Sequence, residues 1–263
     1  MTWLDIARGL VITDVKHIAR DRFVTFVLAY SLVVAAAVRF GVPPLTTTLS
    51  GRYGIDLVPY YGLVSSFVAL TIGSSMIGLV LGFLLLDARE TRVLDALSVT
   101  PLTFDRFVVY RVAMPMVVAA GINPLCAWIG GIGLPAVGPM IGLAVAGVLF
   151  AGISTLALAT FADNKVQAFA VLKLVSGVSM LPMAAYFIEG PLHYLFGVFP
   201  PFWIFKAWWV AVDGGSTWWV YALVGVLTNL VLLGWMKSRF ERVVHRGNAS
   251  VVRATPSPAP ASS

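Results

Sequence analysis

Residues Tyr60 to Leu86 read Tyr-Tyr-Gly-Leu-Val-Ser-Ser-Phe-Val-Ala-Leu-Thr-Ile-Gly-Ser-Ser-Met-Ile-Gly-Leu-Val-Leu-Gly-Phe-Leu-Leu-Leu, 27 residues without a charged side chain. As a helix rising about 1.5 Å per residue, this stretch is roughly 40 Å long. A hydrocarbon core of ~30 Å needs only about 20 apolar residues. The chain then changes character at Asp87-Ala-Arg-Glu-Thr-Arg-Val-Leu-Asp-Ala-Leu-Ser-Val-Thr-Pro101, where Asp87, Arg89, Glu90, Arg92 and Asp95 follow one another closely. A membrane span here passes into a short amphipathic helix, and that junction sets the fold class: an all-α integral membrane protein.

Five further stretches are long and apolar enough to cross: 23–42, 112–134, 137–162, 166–188 and 218–236, making six spans with 60–86. Hydrophobic residues are 59% of the chain and charged residues 11%, well under the roughly 25% charged of a soluble domain. An even number of spans puts both termini on one side. Lys and Arg gather in cytoplasmic loops. This places fifteen of the eighteen inside and only Arg39, Arg52 and Lys206 outside, so both termini are expected in the cytoplasm. The net charge of +6 then reflects topology and attraction to anionic membrane lipid, with no nucleic-acid partner expected.

A single transmembrane domain is expected over residues 1–247. Its first part, 1–22, sets Trp3, Ile6, Leu10, Val11, Val15 and Ile18 against Asp5, Arg8, Lys16 and Arg20. That pattern fits a helix lying in the cytoplasmic headgroup layer or one that leads into the first span. Residues 248–263, ending Pro-Ser-Pro-Ala-Pro-Ala-Ser-Ser, read as a disordered tail.

Turn residues divide the spans. Pro43-Pro44 and Thr46-Thr47-Thr48 are expected to stop the first helix, with an outer loop at Gly51 to Asp56. A few residues around Leu134-Pro135 make spans three and four an antiparallel hairpin, and Asp163-Asn164-Lys165 is an inner turn. Between spans five and six, Gly190 to Thr217 holds two apolar, aromatic pieces too short to cross, on either side of Pro200-Pro201. They are expected to dip into the outer leaflet as re-entrant helices. Trp203, Trp208, Trp209, Trp218 and Trp219 are expected to form the outer aromatic belt, with stacking on a substrate as the alternative.

Chemistry is hard to place in this chain. His17, His193 and His245 fall outside the expected spans, no hydrolase or metalloprotease motif occurs, and the single cysteine, Cys126, has no internal disulfide partner. Catalysis is not expected, and neither is a metal site. Ion-coupled transport needs an ionisable group in the bilayer. The candidates are Arg39, Lys173 and Arg111, with no Asp or Glu inside an expected span. Lys173, about 10 Å into its span, either snorkels to the inner interface or lines a cavity. There is no phosphate loop, so an ATP-driven machine would take its ATPase from another polypeptide.

Within the short helix, Glu90, Val93, Leu94 and Leu97 fall at i, i+3, i+4 and i+7 on one stripe, and Thr100-Pro101 ends it. Such a stripe suits a groove on a partner, or packing beneath its own bundle. The segment resembles the loop between spans two and three of type-2 ABC transporter permeases, with its Glu-x-Gly-Thr-Leu-Glu-x-Leu-Leu-Val-Thr-Pro pattern. Glu90, Leu94, Leu97, Val99, Thr100 and Pro101 match it, Asp95 replaces its second Glu, and Arg92 and Val93 stand where it has Gly-Thr. More narrowly, Arg52 to Tyr61, Asn164-Lys165-Val-Gln-Ala and Phe196 to Trp208 resemble permease subunits of actinobacterial fluoroquinolone exporters.

That resemblance implies a permease in a bacterial plasma membrane. It would pair with a second permease subunit, as a homo- or heterodimer, and each would press a coupling helix (Glu90, Val93, Leu94, Leu97, Thr100, Pro101) on an ABC ATP-binding subunit. ATP and Mg would be bound by that subunit, leaving no cofactor in this chain. The implied cargo is a small amphipathic drug or lipid-like molecule. Asn123, Lys173 and Asn229 are candidates for the cavity, and Phe199, Pro200, Pro201 and Trp203 for an outer gate. For the two asparagines an interhelical hydrogen bond would serve as well. Small residues such as Gly73, Ser74, Ser75, Gly78, Gly147, Ala151 and Gly152 are expected to let helices approach. A permease for lipid, peptide or polysaccharide, and a membrane sensor that docks a regulator on the same helix, are the alternatives.

Overall fold

The computed structural model describes residues 22–90 and 104–254. The expected interfacial helix before Arg22, the coupling residues Val93, Leu94, Leu97, Thr100 and Pro101, and the end of the tail lie outside them. Every element among the described residues is helical. Six helices are long and apolar enough to cross a membrane: Val24–Tyr53, Val58–Arg89, Asp105–Gly130, Val137–Phe161, Val166–Phe187 and Trp218–Val244. They are spans one to six below, and inner names the end of the bundle that carries Arg89, Asp105 and Lys237, outer the opposite end.

Spans two and four form the centre, with 78% and 72% of their most apolar stretch buried, against 17% in spans five and six. Lipid offers no hydrophobic drive for helices to associate, so close backbone approach and interhelical hydrogen bonds decide what packs. At Gly78 a Cβ would stand 2.7 Å from Ser154 Cβ and 2.8 Å from the Ala151 carbonyl, and one turn on, at Gly82, 3.1 Å from Leu158 Cβ. Thr155 Oγ1 donates across the same contact to the Gly78 carbonyl at 3.2 Å. Spans three and five close on either side of this pair. Cys126, buried in span three, reaches the Ser31 carbonyl of span one at 3.7 Å.

A second tie locks spans two, three and four. Asn123 is fully buried; its Nδ2 donates to Ser74 Oγ at 2.9 Å and to the Ala144 carbonyl at 3.1 Å, and Ser74 Oγ reaches the Gly147 carbonyl at 3.0 Å. Just outward, span two carries a short π-helical segment, Val68–Ile72.

Three expectations about boundaries are corrected. The first helix does not stop at Pro43-Pro44 but runs Arg22–Tyr53. Proline interrupts the helical ladder, yet Thr46 Oγ1 bonds the Val42 carbonyl at 2.9 Å, and Thr47 and Thr48 bond that of Pro44 at 2.9 and 2.8 Å. The threonines read as breakers instead turn their hydroxyls back onto carbonyls of the continuing helix. The helix Phe104–Gly130 begins well before residue 112, so Arg111 is helical, with its guanidinium carbon 5.4 Å from the Phe107 ring centre. The last helix, Trp218–Ala254, runs past residue 236 and into the expected tail. At the inner ends of spans three and six, Lys237 bonds Asp105 and lies 3.1 Å from Glu241.

Candidate functional site

Spans five and six both lean on span four, and between them lies an apolar groove of about 510 Å³. Phe150, Ile153 and Ser154 of span four form its floor, joined by Ser75 of span two. One wall is Val171, Leu174, Val175 and Val178, spaced i, i+3, i+4 and i+7 along span five. The other is Leu232 and Met236, one turn apart on span six. Phe161 lies toward the inner end, and Phe199, Pro200 and Pro201 close the outer end. No charged side chain lines it.

The roof comes from the segment between spans five and six. Two short helices, Pro191–Val198 and Pro201–Val212, flank Phe199 and Pro200, as the spacing of the prolines led one to expect. Asn229 of span six, fully buried, donates its Nδ2 to the Pro200 carbonyl at 2.9 Å and to that of Gly225 at 2.7 Å. Trp203 sits behind the roof, stacked between Tyr194 at 6.2 Å and Tyr221 at 6.4 Å. Its indole N–H donates to the Gly197 carbonyl at 3.0 Å.

The candidate residues therefore fall into separate places. Phe199, Pro200 and Pro201 line the groove, and Asn229 fixes Pro200 from behind. Asn123 belongs to the tie among spans two, three and four. Lys173 is exposed on span five, next to Leu174 of the groove wall. The groove's own Ser154, Ser179 and span-five stripe escaped sequence reasoning, since apolar helices present regular stripes on every side.

The tryptophans need correction. Trp208 is fully buried and Trp209 nearly so, with indole N–H groups donating to Ser65 and Ser66 of span two, each at 3.0 Å. They are neither belt nor stacking platform but anchors of the outer core, alongside Phe202, Ile204 and Phe205. Trp219, 58% exposed, keeps the surface position expected of the group, and Trp218 beside it is half-buried.

At the inner end, Arg89 of span two reaches across to span four. Nη1 bonds the Ala159 carbonyl at 2.7 Å, and Nη2 bonds the Ala162 carbonyl at 2.7 Å and Asp163 Oδ1 at 2.9 Å. The last carbonyls of a helix lack internal partners and carry its negative dipole end, so a guanidinium there both satisfies and neutralises them. Glu90, the next residue, ends the helix Gly73–Glu90.

Six apolar helices of spanning length, with an uncharged groove between the last two, define a multi-pass membrane protein. Residues 14–237 match the family described as fluoroquinolones export permease protein, Rv2686c-like, and the chain belongs to that family. Two relatives from Mycobacterium tuberculosis bear the names fluoroquinolones export permease protein Rv2686c (strain H37Rv) and MT2760 (strain CDC 1551). Each is 32% identical over 237 residues, covering 88% of this chain and 92% of the relative. No solved structure matches the chain significantly.

Proposed function

We propose that this permease is the membrane subunit of an ATP-driven exporter of the ABC type, working as a dimer in the bacterial plasma membrane with both termini in the cytoplasm. The groove between spans five and six carries its cargo, an amphipathic drug of the kind named for the relatives. The carrying observation is the grip of Arg89 on the inner end of span four. Arg89 directly precedes the coupling segment that begins at Glu90, and span four is the floor of the groove. A push on that segment by an ATP-binding subunit would be passed through a near-rigid helix to the cargo site. The ATP-binding subunit would hold ATP and Mg. The ATP-bound and empty states must contact the coupling segment differently, or binding would shift nothing.

The short helices around Pro200 act as the outer, re-entrant gate in this scheme, with Asn229 as its latch. The test is purification of the tagged chain from its native membrane in mild detergent, followed by ATP turnover with and without a fluoroquinolone. A phosphate-loop ATPase in the same peak and drug-stimulated turnover are expected. Glu90→Ala and Leu97→Asp should abolish stimulation with the permease still inserted. Recovery without any ATPase, under conditions where a known ABC complex stays whole, would favour the sensor alternative.

A further inference from the structure

Six serines are buried among the described residues: Ser31, Ser65, Ser66, Ser74, Ser75 and Ser154. Four have hydrogen-bond partners. Ser31 bonds back to the Val27 carbonyl, Ser65 bonds the Gly133 carbonyl, Ser66 that of Leu63, and Ser74 that of Gly147. Ser75 and Ser154, 8% and 2% exposed, have none, and these two are the buried serines on the groove.

A serine in an apolar helix ordinarily bonds the carbonyl three or four residues back. Neither Ser75 nor Ser154 makes that bond. The hydroxyls of Thr71 and Thr160 also lack partners but are sealed in the core, whereas those of Ser75 and Ser154 are not sealed and their residues line the groove. Two unpartnered hydroxyls on one apolar cavity mark a surface able to receive a polar group. Ser154 packs on Gly78, one helical turn inward of Ser75, which separates the two hydroxyls by ~5 Å along the bundle. Ser179, half-buried on span five, adds a third unpartnered hydroxyl to the lining.

We infer that Ser75 and Ser154 are the specificity-determining residues of the cargo site. They select an apolar molecule that carries uncharged hydrogen-bonding groups, such as a carbonyl, amide or hydroxyl, at a spacing of about one helical turn. Charged groups of the cargo stay at the open side, because no lining residue could compensate a charge in the floor. The inference rests on the groove being the cargo site, and the experiment separates the two.

The experiment measures equilibrium binding to the purified complex in lipid nanodiscs, with two probes read by fluorescence. One is the ethyl ester of a fluoroquinolone, whose keto-ester edge carries uncharged acceptor oxygens; the other is N-phenyl-1-naphthylamine, an uncharged aromatic without an acceptor oxygen. Ser75→Ala and Ser154→Ala should each weaken the fluoroquinolone about 3–10-fold, the size of one neutral hydrogen bond. Naphthylamine affinity should change less than about twofold, and Ser75→Thr, which keeps a hydroxyl and lies away from the Gly78 contact, should retain more fluoroquinolone affinity than Ser75→Ala. Equal losses for both probes, or no loss for the fluoroquinolone, would overturn the assignment of the serines. Leu174→Trp fills the groove from its wall: if both probes bind it as before, the groove is not the cargo site and the wider reading falls with this one.

Discussion

The indole N–H of Trp208 donates to Ser65 Oγ at 3.0 Å, and that same hydroxyl donates to the Gly133 carbonyl at 2.7 Å. One serine in span two thereby joins the short helix Pro201–Val212 to the turn between spans three and four. Gly133 makes the junction possible: its φ is +53°, and a Cβ there would stand 2.4 Å from the Tyr61 carbonyl carbon. Trp209 and Ser66 repeat the bond one residue along, so the outer segment is registered on span two by two adjacent pairs.

These pairs carry a prediction about stability. Trp208→Phe keeps most of the ring but removes the donor and should cost about 1 kcal/mol, whereas Trp208→Ala should cost about 3–5 kcal/mol through the cavity it leaves. Thermal or denaturant unfolding in detergent measures both. A double-mutant cycle of Trp208→Phe with Ser65→Ala should return a coupling of about 0.5–1.5 kcal/mol; additive effects would show that the bond contributes nothing.

Arg89 and Asp163 allow the grip on span four to be dissected. Asp163 is 81% exposed, and an ion pair with so open a partner is worth little. Asp163→Ala should therefore leave export within about twofold of the parent. Arg89→Ala removes the donors to the Ala159 and Ala162 carbonyls and should cut export about tenfold or more while the permease still inserts. Lysine cannot span two carbonyls with a planar fork, so Arg89→Lys should fall between. Export by Arg89→Ala equal to that of the parent would remove the link drawn from the coupling segment to the groove.

The outer roof depends on Asn229. Replacing it with leucine preserves bulk but frees the Pro200 carbonyl, which should loosen the segment that closes the groove. In a background lacking Cys126, a cysteine placed at Phe199 should react with a membrane-impermeant maleimide several-fold faster when Asn229 is leucine. Identical labelling rates in the two backgrounds would mean that the roof is held by Pro201, Phe202 and the aromatic stack without this bond.

The sequence made six spans, the outer proline break and the short helices beside it legible, because apolar length and proline each have a direct consequence in lipid. It misled at Thr46, Thr47 and Thr48, whose hydroxyls bond helix carbonyls that a soluble turn would expose to water. It misled again at Trp208 and Trp209: a tryptophan-rich segment near a boundary looks like a belt until serine partners on another span are known to reach it. Asn229 was recognisable as a buried amide, but its tie to Pro200 was not, since 29 residues separate them. The groove was least legible, because Val171, Leu174, Val175 and Val178 differ from lipid-facing residues only in what span four sets before them.

Gly78 tests whether the contact between spans two and four is as tight as its geometry indicates. An added Cβ would meet the Ala151 carbonyl at 2.8 Å, and backbone cannot yield as a flexible side-chain tip can. Alanine at this position should force the two central spans apart and lower stability by about 1–3 kcal/mol, the usual range for overpacking; valine, with two more methyl groups, should do worse. Gly142, with nothing within 4 Å of its added Cβ, is the matched control, where alanine should be neutral or slightly stabilising because it favours the helix. Because the groove floor is span four, Gly78→Ala should also weaken fluoroquinolone binding, while Gly142→Ala should not. Equal stability and binding in the two variants would mean that spans two and four are spaced more loosely than a glycine contact requires.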